Sequence, residues 1–252
     1  MNSREYYDEI ASYYDELYQD PISIAENNVV AYLLAILIES GDSVIDLGCG
    51  TGLAVNLLPA RCETDYLGID ISERMIEVAR RRRRQNRFKV ADMESLPLFP
   101  ETADVVISLF GSFSHSLNPD RAVYQIERIL KPGGRFMIMA YSRWSYRNII
   151  QSIRAGSPSK VAMVQRYSIR NSQSPDGAPA IMYTAAALKK LFGRFENLSV
   201  FGLNAQCSFE PFAGLHSRRN TELGLTNMLL HELWNKTHPN FAHTLIITGT
   251  KK

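Results

Sequence analysis

The chain reads as a single α/β domain built on a mostly parallel sheet, and three observations carry that reading. Short apolar runs of strand type alternate with segments whose apolar residues recur at helical spacing, the pattern that lays helices on both faces of a parallel sheet. The first run, Val44, Ile45 and Leu47, delivers the chain into Gly48-Cys-Gly-Thr-Gly52, where glycines permit a sharp turn and close backbone approach to a ligand. With 252 residues, 45% of them hydrophobic, the chain can bury a full core, and no Pro/Ser-rich linker or repeat divides it.

The elements follow in order. Residues 1–40 read as N-terminal helices, with Tyr6, Ile10, Tyr13, Tyr14 and Leu17 at helical spacing. Leu53 to Leu58 reads as the helix after the glycine turn, Tyr66-Leu-Gly-Ile-Asp70 as the second strand, and Ser72 to Ala79 as the next helix. Phe88 to Asp92 is a third strand and Asp104 to Leu109 a fourth. Pro119 to Leu130 has helical spacing, Lys131-Pro-Gly-Gly-Arg135 is a turn, and Phe136 to Ala140 is a fifth strand. Thr184 caps a helix running to Phe192, Leu198 to Gly202 is a sixth strand and Thr244 to Thr248 a seventh. Residues 142–182, with the turn Pro175-Asp-Gly177, and 204–243 are insertions expected above the strand ends, where they shape an acceptor pocket.

The glycine spacing selects the ligand. A dinucleotide site wants Gly-x-Gly-x-x-Gly, but Leu53 holds the place of the third glycine, which argues against NAD. Asp46 lies two positions ahead of the first glycine. Asp70 ends the second strand about 20 residues beyond the turn, where a carboxylate accepts from both ribose hydroxyls. Asp70 also reads as a helix N-cap, a role open equally to Ser72. A third acid, Asp92, ends the third strand and is followed by Met93.

These motifs, with Leu130-Lys-Pro-Gly-Gly134, resemble those of the class I S-adenosylmethionine (SAM) dependent methyltransferases, and the likeness covers nearly the whole chain. The resemblance implies a Rossmann-like three-layer domain with a seven-stranded sheet, the seventh strand inserted antiparallel beside the sixth. It implies SAM as cofactor and S-adenosylhomocysteine (SAH) as product, held by a core at 41–141. Asp46 would lie near the methionine amino group, with Gly48, Cys49, Gly50 and Gly52 in the turn and Asp70 on the ribose. Asp92 would lie near the adenine amino group, Met93 and Ile71 on the two faces of the ring, and Leu109 in the same cofactor wall. For Met93, ordinary core packing is the alternative. Ala11-Ser-Tyr-Tyr-Asp-Glu-Leu-Tyr18 resembles a Tyr-Asp-x-x-Tyr segment that lids the cofactor in related enzymes, which puts Tyr14 near the sulfonium and Tyr18 toward the acceptor. Helix packing explains Ile10 and Leu17 equally well, but explains the tyrosine hydroxyls less well.

A methyl group on a positive sulfur needs an in-line nucleophile at about 3 Å and a route for its proton. His115, in the loop Phe110-Gly-Ser-Phe-Ser-His115, is the best-placed histidine for general-base work, with Tyr14 as a second catalytic candidate. Capping the next helix or bonding the backbone is the competing role for His115. Tyr141 and Trp144 are candidates to wall the acceptor, or are core. No Asn/Asp-Pro-Pro-Tyr/Phe occurs at Ser108 to Ser112 and no Pro-Cys nucleophile is present, which disfavours base methylation. Ser108 and Tyr141 to Trp144 occupy the regions where metal-dependent relatives carry acids, so no metal is expected. Cys49, Cys62 and Cys207, and His216, His231, His238 and His243, lack metal-ligand spacing.

Net charge of +2 gives no field for a polyanion. The run Arg80 to Arg84, with Arg87, falls at a helix C-terminus where cations complement the dipole, so a solvated helix end is expected rather than a nucleic-acid patch. The longest apolar run, Val29 to Ile38, is too short for a bilayer, and the cysteine usage suits a reducing cytoplasm. The expected function is SAM-dependent methylation of an oxygen or nitrogen of a small molecule. The alternatives are SAM-dependent cyclisation, rearrangement or decarboxylation, a non-catalytic SAM-binding partner, and, on the arginine run alone, an RNA methyltransferase. No feature of the chain speaks to oligomeric state.

Overall fold

The computed structural model describes residues 1–60, 64–154, 156, 162–167, 177–204 and 238–252. Cys62, Cys207, His216, His231, Pro175, Asp176 and most of the 204–243 insertion lie outside the described residues.

A seven-stranded sheet organises the chain. Its strands are β1 (Ser43–Leu47), β2 (Asp65–Asp70), β3 (Arg87–Val90), β4 (Ala103–Ser108), β5 (Leu130–Tyr141), β8 (Glu196–Leu203) and β9 (Thr244–Thr250), in the order β3-β2-β1-β4-β5-β9-β8. The first five are parallel, and β9 runs antiparallel to both β5 and β8. The strand order therefore reverses between β1 and β4, which opens a crevice beyond their carboxyl ends. A separate two-stranded ladder pairs β6 (Val164–Tyr167) with β7 (Ala178–Ile181) inside the 142–182 insertion.

Period-two alternation builds a core on each face. Val105, Ile107, Met137 and Met139 point to one side, against Val29, Val30 and Leu34 of α2 (Pro21–Leu37) and Ile76 and Ala79 of α3 (Glu73–Arg82). Val106, Phe136 and Ile138 point to the other, against Val123 and Ile126 of α4 (Pro119–Ile129), Leu188 of α6 (Ala185–Leu191) and its C-cap Phe192. Local chemistry starts these helices where the sequence suggests. Thr184 caps α6, and Asp20 followed by Pro21 opens α2. Ser72, not Asp70, caps α3, its hydroxyl accepting from the Met75 N–H at 3.0 Å.

Three local expectations are corrected. The segment after the glycine turn is a 3₁₀ turn over Leu53–Leu57 rather than an α-helix, because Pro59 forces Leu58 into extended backbone. The turn expected at Lys131 to Arg135 lies within β5 as a bulge, where pairing jumps from Ala103–Leu130 to Val105–Arg135. The N-terminal periodicity is split between α1 (Ser3–Ile10) and a 3₁₀ turn over Tyr14–Tyr18. That break coincides with tertiary ties: Asp15 accepts from the Thr51 hydroxyl and from Arg82, and tertiary partners override local helix preference.

α1 lies across the start of α3. Asp8 accepts from the Ser72 hydroxyl at 2.6 Å and from the Arg74 N–H at 3.2 Å, so two aspartates fasten residues 3–18 over the crevice. The remaining helix, α5 (Tyr146–Arg154), follows β5. Among the described residues, no helix is long and apolar enough to cross a membrane.

Candidate active site

A cavity of about 460 Å³ occupies the crevice. Gly48, Gly50, Asp70, Ile71, Asp92 and Met93 line it, together with Tyr7, Tyr14, Ser112, His115 and Pro179. Backbone conformation explains the turn. Gly48 has φ +74°, and a side chain there would overlap the Ser112 Cβ, which packs over the turn. Gly52, with φ +77°, is held tight for another reason: a Cβ would come within 2.9 Å of Phe88, so this glycine serves packing and does not line the cavity.

Asp70 is pinned in place. Its Oδ2 accepts from the Gly50 N–H at 2.8 Å and its Oδ1 from the Ser72 N–H at 2.9 Å. Burial raises its carboxyl to about 6, and the Ser72 and Gly50 N–H groups oppose that rise. Asp46 is 1% exposed and sits beneath the cavity rather than in its lining. Tyr66 donates to its Oδ2 at 2.7 Å, while Oδ1 has no hydrogen-bond partner among the described residues. Burial pushes the Asp46 carboxyl to about 7, against the pull of Tyr66. Asp92 accepts the Glu94 N–H at 2.8 Å, a local turn that sets Met93 toward the cavity. Glu94 in turn accepts from the Ser116 hydroxyl at 2.8 Å and the Asn118 N–H at 2.9 Å, which joins the loops after β3 and β4.

His115 lines the cavity from a 3₁₀ turn over Ser112–His115. Its Nδ1 lies 2.9 Å from the Pro179 carbonyl oxygen on β7, and its Nε2 lies 2.9 Å from the Tyr7 hydroxyl. Burial lowers its pKa to about 4, opposed by the Pro179 carbonyl, so the imidazole is neutral at pH 7. It does not cap α4: Asn118 holds that position. Tyr14 is 8% exposed, packs over Gly50 and shares a hydroxyl contact of 3.2 Å with Tyr18.

The other residues singled out from sequence fall around the cavity rather than in it. Cys49 and Leu109 are core residues under the turn, and Tyr18 packs on Phe110 at 5.8 Å between ring centres. Tyr141 stacks on Tyr167 at 3.9 Å and donates to the Phe110 carbonyl at 3.3 Å. Trp144 is 39% exposed and lies under the Arg143 guanidinium. His238 precedes a short turn, and His243 meets the Tyr167 hydroxyl at 3.1 Å; among the described residues no cluster of metal ligands forms. The arginine run is largely spent within the chain. Arg80 donates to the Phe88 carbonyl, Arg82 pairs with Asp15, Arg83 reaches the Gly52 carbonyl and Arg87 pairs with Asp65.

Tyr7, Ser112 and Pro179 were not singled out by sequence. A signal for Tyr7 exists: Tyr7, Tyr14 and Tyr18 stand at i, i+7 and i+11, one helical stripe. Pro179 had none, since it reaches the cavity only through the pairing of β7 with β6.

Comparison with known proteins agrees with this geometry. Residues 45–138 match the family model described as a methyltransferase domain. An uncharacterized protein of Methanocaldococcus jannaschii is 33% identical over 162 residues, 64% of this chain and 60% of that protein. A demethylmenaquinone methyltransferase of Clavibacter sepedonicus is 32% identical over 54% of this chain and 56% of its own length. The chain thus spans less than two thirds of each of these curated relatives. Among solved structures, a SAM-dependent methyltransferase of Thermotoga maritima, described as a possible histamine N-methyltransferase, superposes with TM-score 0.62 at 20% identity, covering 98% of this chain and 99% of that one. The fold is that of the class I methyltransferases, whose cofactor is SAM, and residues 45–138 of this chain match a methyltransferase domain.

Proposed function

We propose that the protein transfers a methyl group from SAM to an oxygen or nitrogen of a small molecule bound in the crevice. The observation that carries this reading is one cavity lined both by the glycine turn with Asp70 and by Tyr7, Tyr14 and His115. Its volume suits a small-molecule site.

The residues present fit the cofactor. Asp70 is a fixed, buried acceptor suited to ribose hydroxyls, and Ile71 and Met93 offer apolar surface to an adenine ring. Asp92 stands beside them at the rim. The unpaired Oδ1 of Asp46 marks a buried acid that lacks a cation, and an ammonium group approaching the turn would supply one. When bound, SAM supplies an electrophilic methyl on a sulfonium. Tyr14, closed over Gly50, orients that end and excludes water, while the neutral His115 stands on the proton's way out. Tyr18 and Tyr141, which do not line the cavity, would act on the acceptor only through the rings they pack against.

Incubation with methyl-labelled SAM and a panel of phenols, amines, alcohols and naphthoquinols tests the proposal. Labelled oxygen or nitrogen in the product supports it. Label on carbon would correct the acceptor atom, and label retained on SAM while an acceptor is rearranged would replace transfer with another SAM-dependent reaction.

A further inference from the structure

His115 offers no free nitrogen to an acceptor. The Pro179 carbonyl can only accept, so the ring proton sits on Nδ1; in a neutral imidazole Nε2 is then the acceptor, and the Tyr7 hydroxyl donates to it. The two rings meet edge to face, with centres 5.3 Å apart and an interplanar angle of 85°. Tyr7 in turn lies edge-on to Tyr14 at 6.3 Å and lines the cavity. What this pair presents to a bound molecule is the Tyr7 oxygen, with its lone pairs, backed by a base of fixed tautomer.

We propose that Tyr7 is a catalytic residue of the methyl transfer, taking the acceptor's proton on its phenol oxygen while its own proton passes to His115 Nε2. The inference rests on the methyl-transfer reading above and deepens it: the acceptor is a molecule whose reacting oxygen or nitrogen bears a removable proton. As the acceptor O–H or N–H bond breaks, a new Tyr7 O–H bond forms. The former Tyr7 O–H bond breaks as Nε2–H forms. The acceptor's electron pair goes to the methyl carbon, and the C–S pair stays on sulfur. The products are the methylated acceptor, a neutral thioether and a His115 imidazolium, so one positive charge moves from sulfur to imidazole.

That charge balance sets the timing. Burial disfavours a cation at His115, and a sulfonium in the same cavity repels a second one. Both proton shifts are therefore favoured only as the methyl leaves and the sulfonium charge disappears. The Pro179 carbonyl stabilises the imidazolium from behind through Nδ1–H, which makes β7 a positioning element for the relay.

The test compares acceptors that must lose a proton with one that need not. Methyl-labelled SAM is supplied with phenol or benzylamine, and separately with benzenethiolate, ionised at pH 8. In Tyr7→Phe the ring remains and the relay oxygen is lost. Turnover with phenol and benzylamine should fall by about 10²- to 10⁴-fold, the usual worth of general-base assistance, with thiolate transfer changed by less than about threefold. His115→Gln should follow the same split, and SAH affinity by calorimetry should be unchanged in both. Equal loss with all acceptors would mean a structural role and overturn the proposal. So would full activity of Tyr7→Phe with phenol and benzylamine, or wild-type transfer to thiolate alone. Absence of SAH binding by the wild type would instead sink the cofactor reading beneath it.

Discussion

The Gly50 N–H donates to Asp70 Oδ2 at 2.8 Å, tying the end of β2 to the middle of the glycine turn. With Ser72 N–H on the other oxygen, the carboxylate is fixed before any ligand arrives, and each oxygen keeps a lone pair for a ribose hydroxyl. Its carboxyl stands at about 6 in the ligand-free protein, and the ionised form is the better acceptor for two hydroxyls. Affinity for SAH should therefore fall as pH drops below about 6, approaching tenfold per pH unit. Calorimetry between pH 5 and 8 checks this, and an affinity flat across that range would contradict it.

Stability should carry the opposite pH signature from that of an ordinary salt-bridged acid. Asp46 and Asp70 stand at about 7 and about 6 against an ordinary 3.8, so the folded protein binds more protons than the unfolded chain in between. Their stabilising contribution is full below 3.8 and is lost as pH rises through 6 to 7. Desolvation raises the Asp104 carboxyl, but Lys131 and Ser43 together outweigh it and hold the group below its usual value, so its effect falls at lower pH, outside this window. The melting temperature of ligand-free protein should fall from pH 6.5 to pH 8, above the range where His115, lowered to about 4, opposes the trend, and Asp46→Asn should flatten that slope. An unchanged slope in the variant would count against the burial argument.

Gly48→Ala should cost far more than Gly41→Ala. Both glycines have positive φ, +74° and +89°, but the added methyl would overlap Ser112 at Gly48 and meet nothing within 4 Å at Gly41. Backbone strain of about 1 kcal/mol is common to both, and overpacking adds about 1–3 kcal/mol at Gly48. Urea unfolding midpoints of the two variants decide the matter.

Much of the fold was legible because its signals are local and periodic. Val105 and Val106 alternate between two cores as any buried strand must, and Asp20-Pro21 and Thr184 announce their helices chemically. The floor of the site was legible for the same reason: Gly50, Asp70, Ile71 and Met93 sit at strand ends that the topology aligns. The roof was not. Tyr7 reaches His115 only because α1 folds back over α3, and Pro179 reaches it only through a ladder formed inside an insertion. Pairings between residues 108 and 64 positions apart leave no periodic trace.

The N-terminal cover should behave as a fastened lid. Asp15 joins it to Thr51 and Arg82, and Asp8 joins it to Ser72 and the backbone of Arg74. Asp15→Ala should release residues 1–20 to limited proteolysis and weaken SAH binding, with a stability cost of about 0.5–1.5 kcal/mol, because the Arg82 partner is partly exposed. Saturating SAH should restore protection. Proteolysis rates equal to the wild type would show that Asp8 and apolar packing alone hold the lid.

An adenosyl site organised by Asp70 should discriminate SAM and SAH from NAD, and calorimetric titration with the three ligands measures this. SAM and SAH should bind saturably and NAD not at all, and Asp70→Asn, whose amide presents a donor where ribose hydroxyls need an acceptor, should bind SAH about 10²-fold more weakly. Folded protein that binds neither adenosyl ligand, or an Asp70→Asn variant that binds SAH as tightly as the wild type, would contradict it.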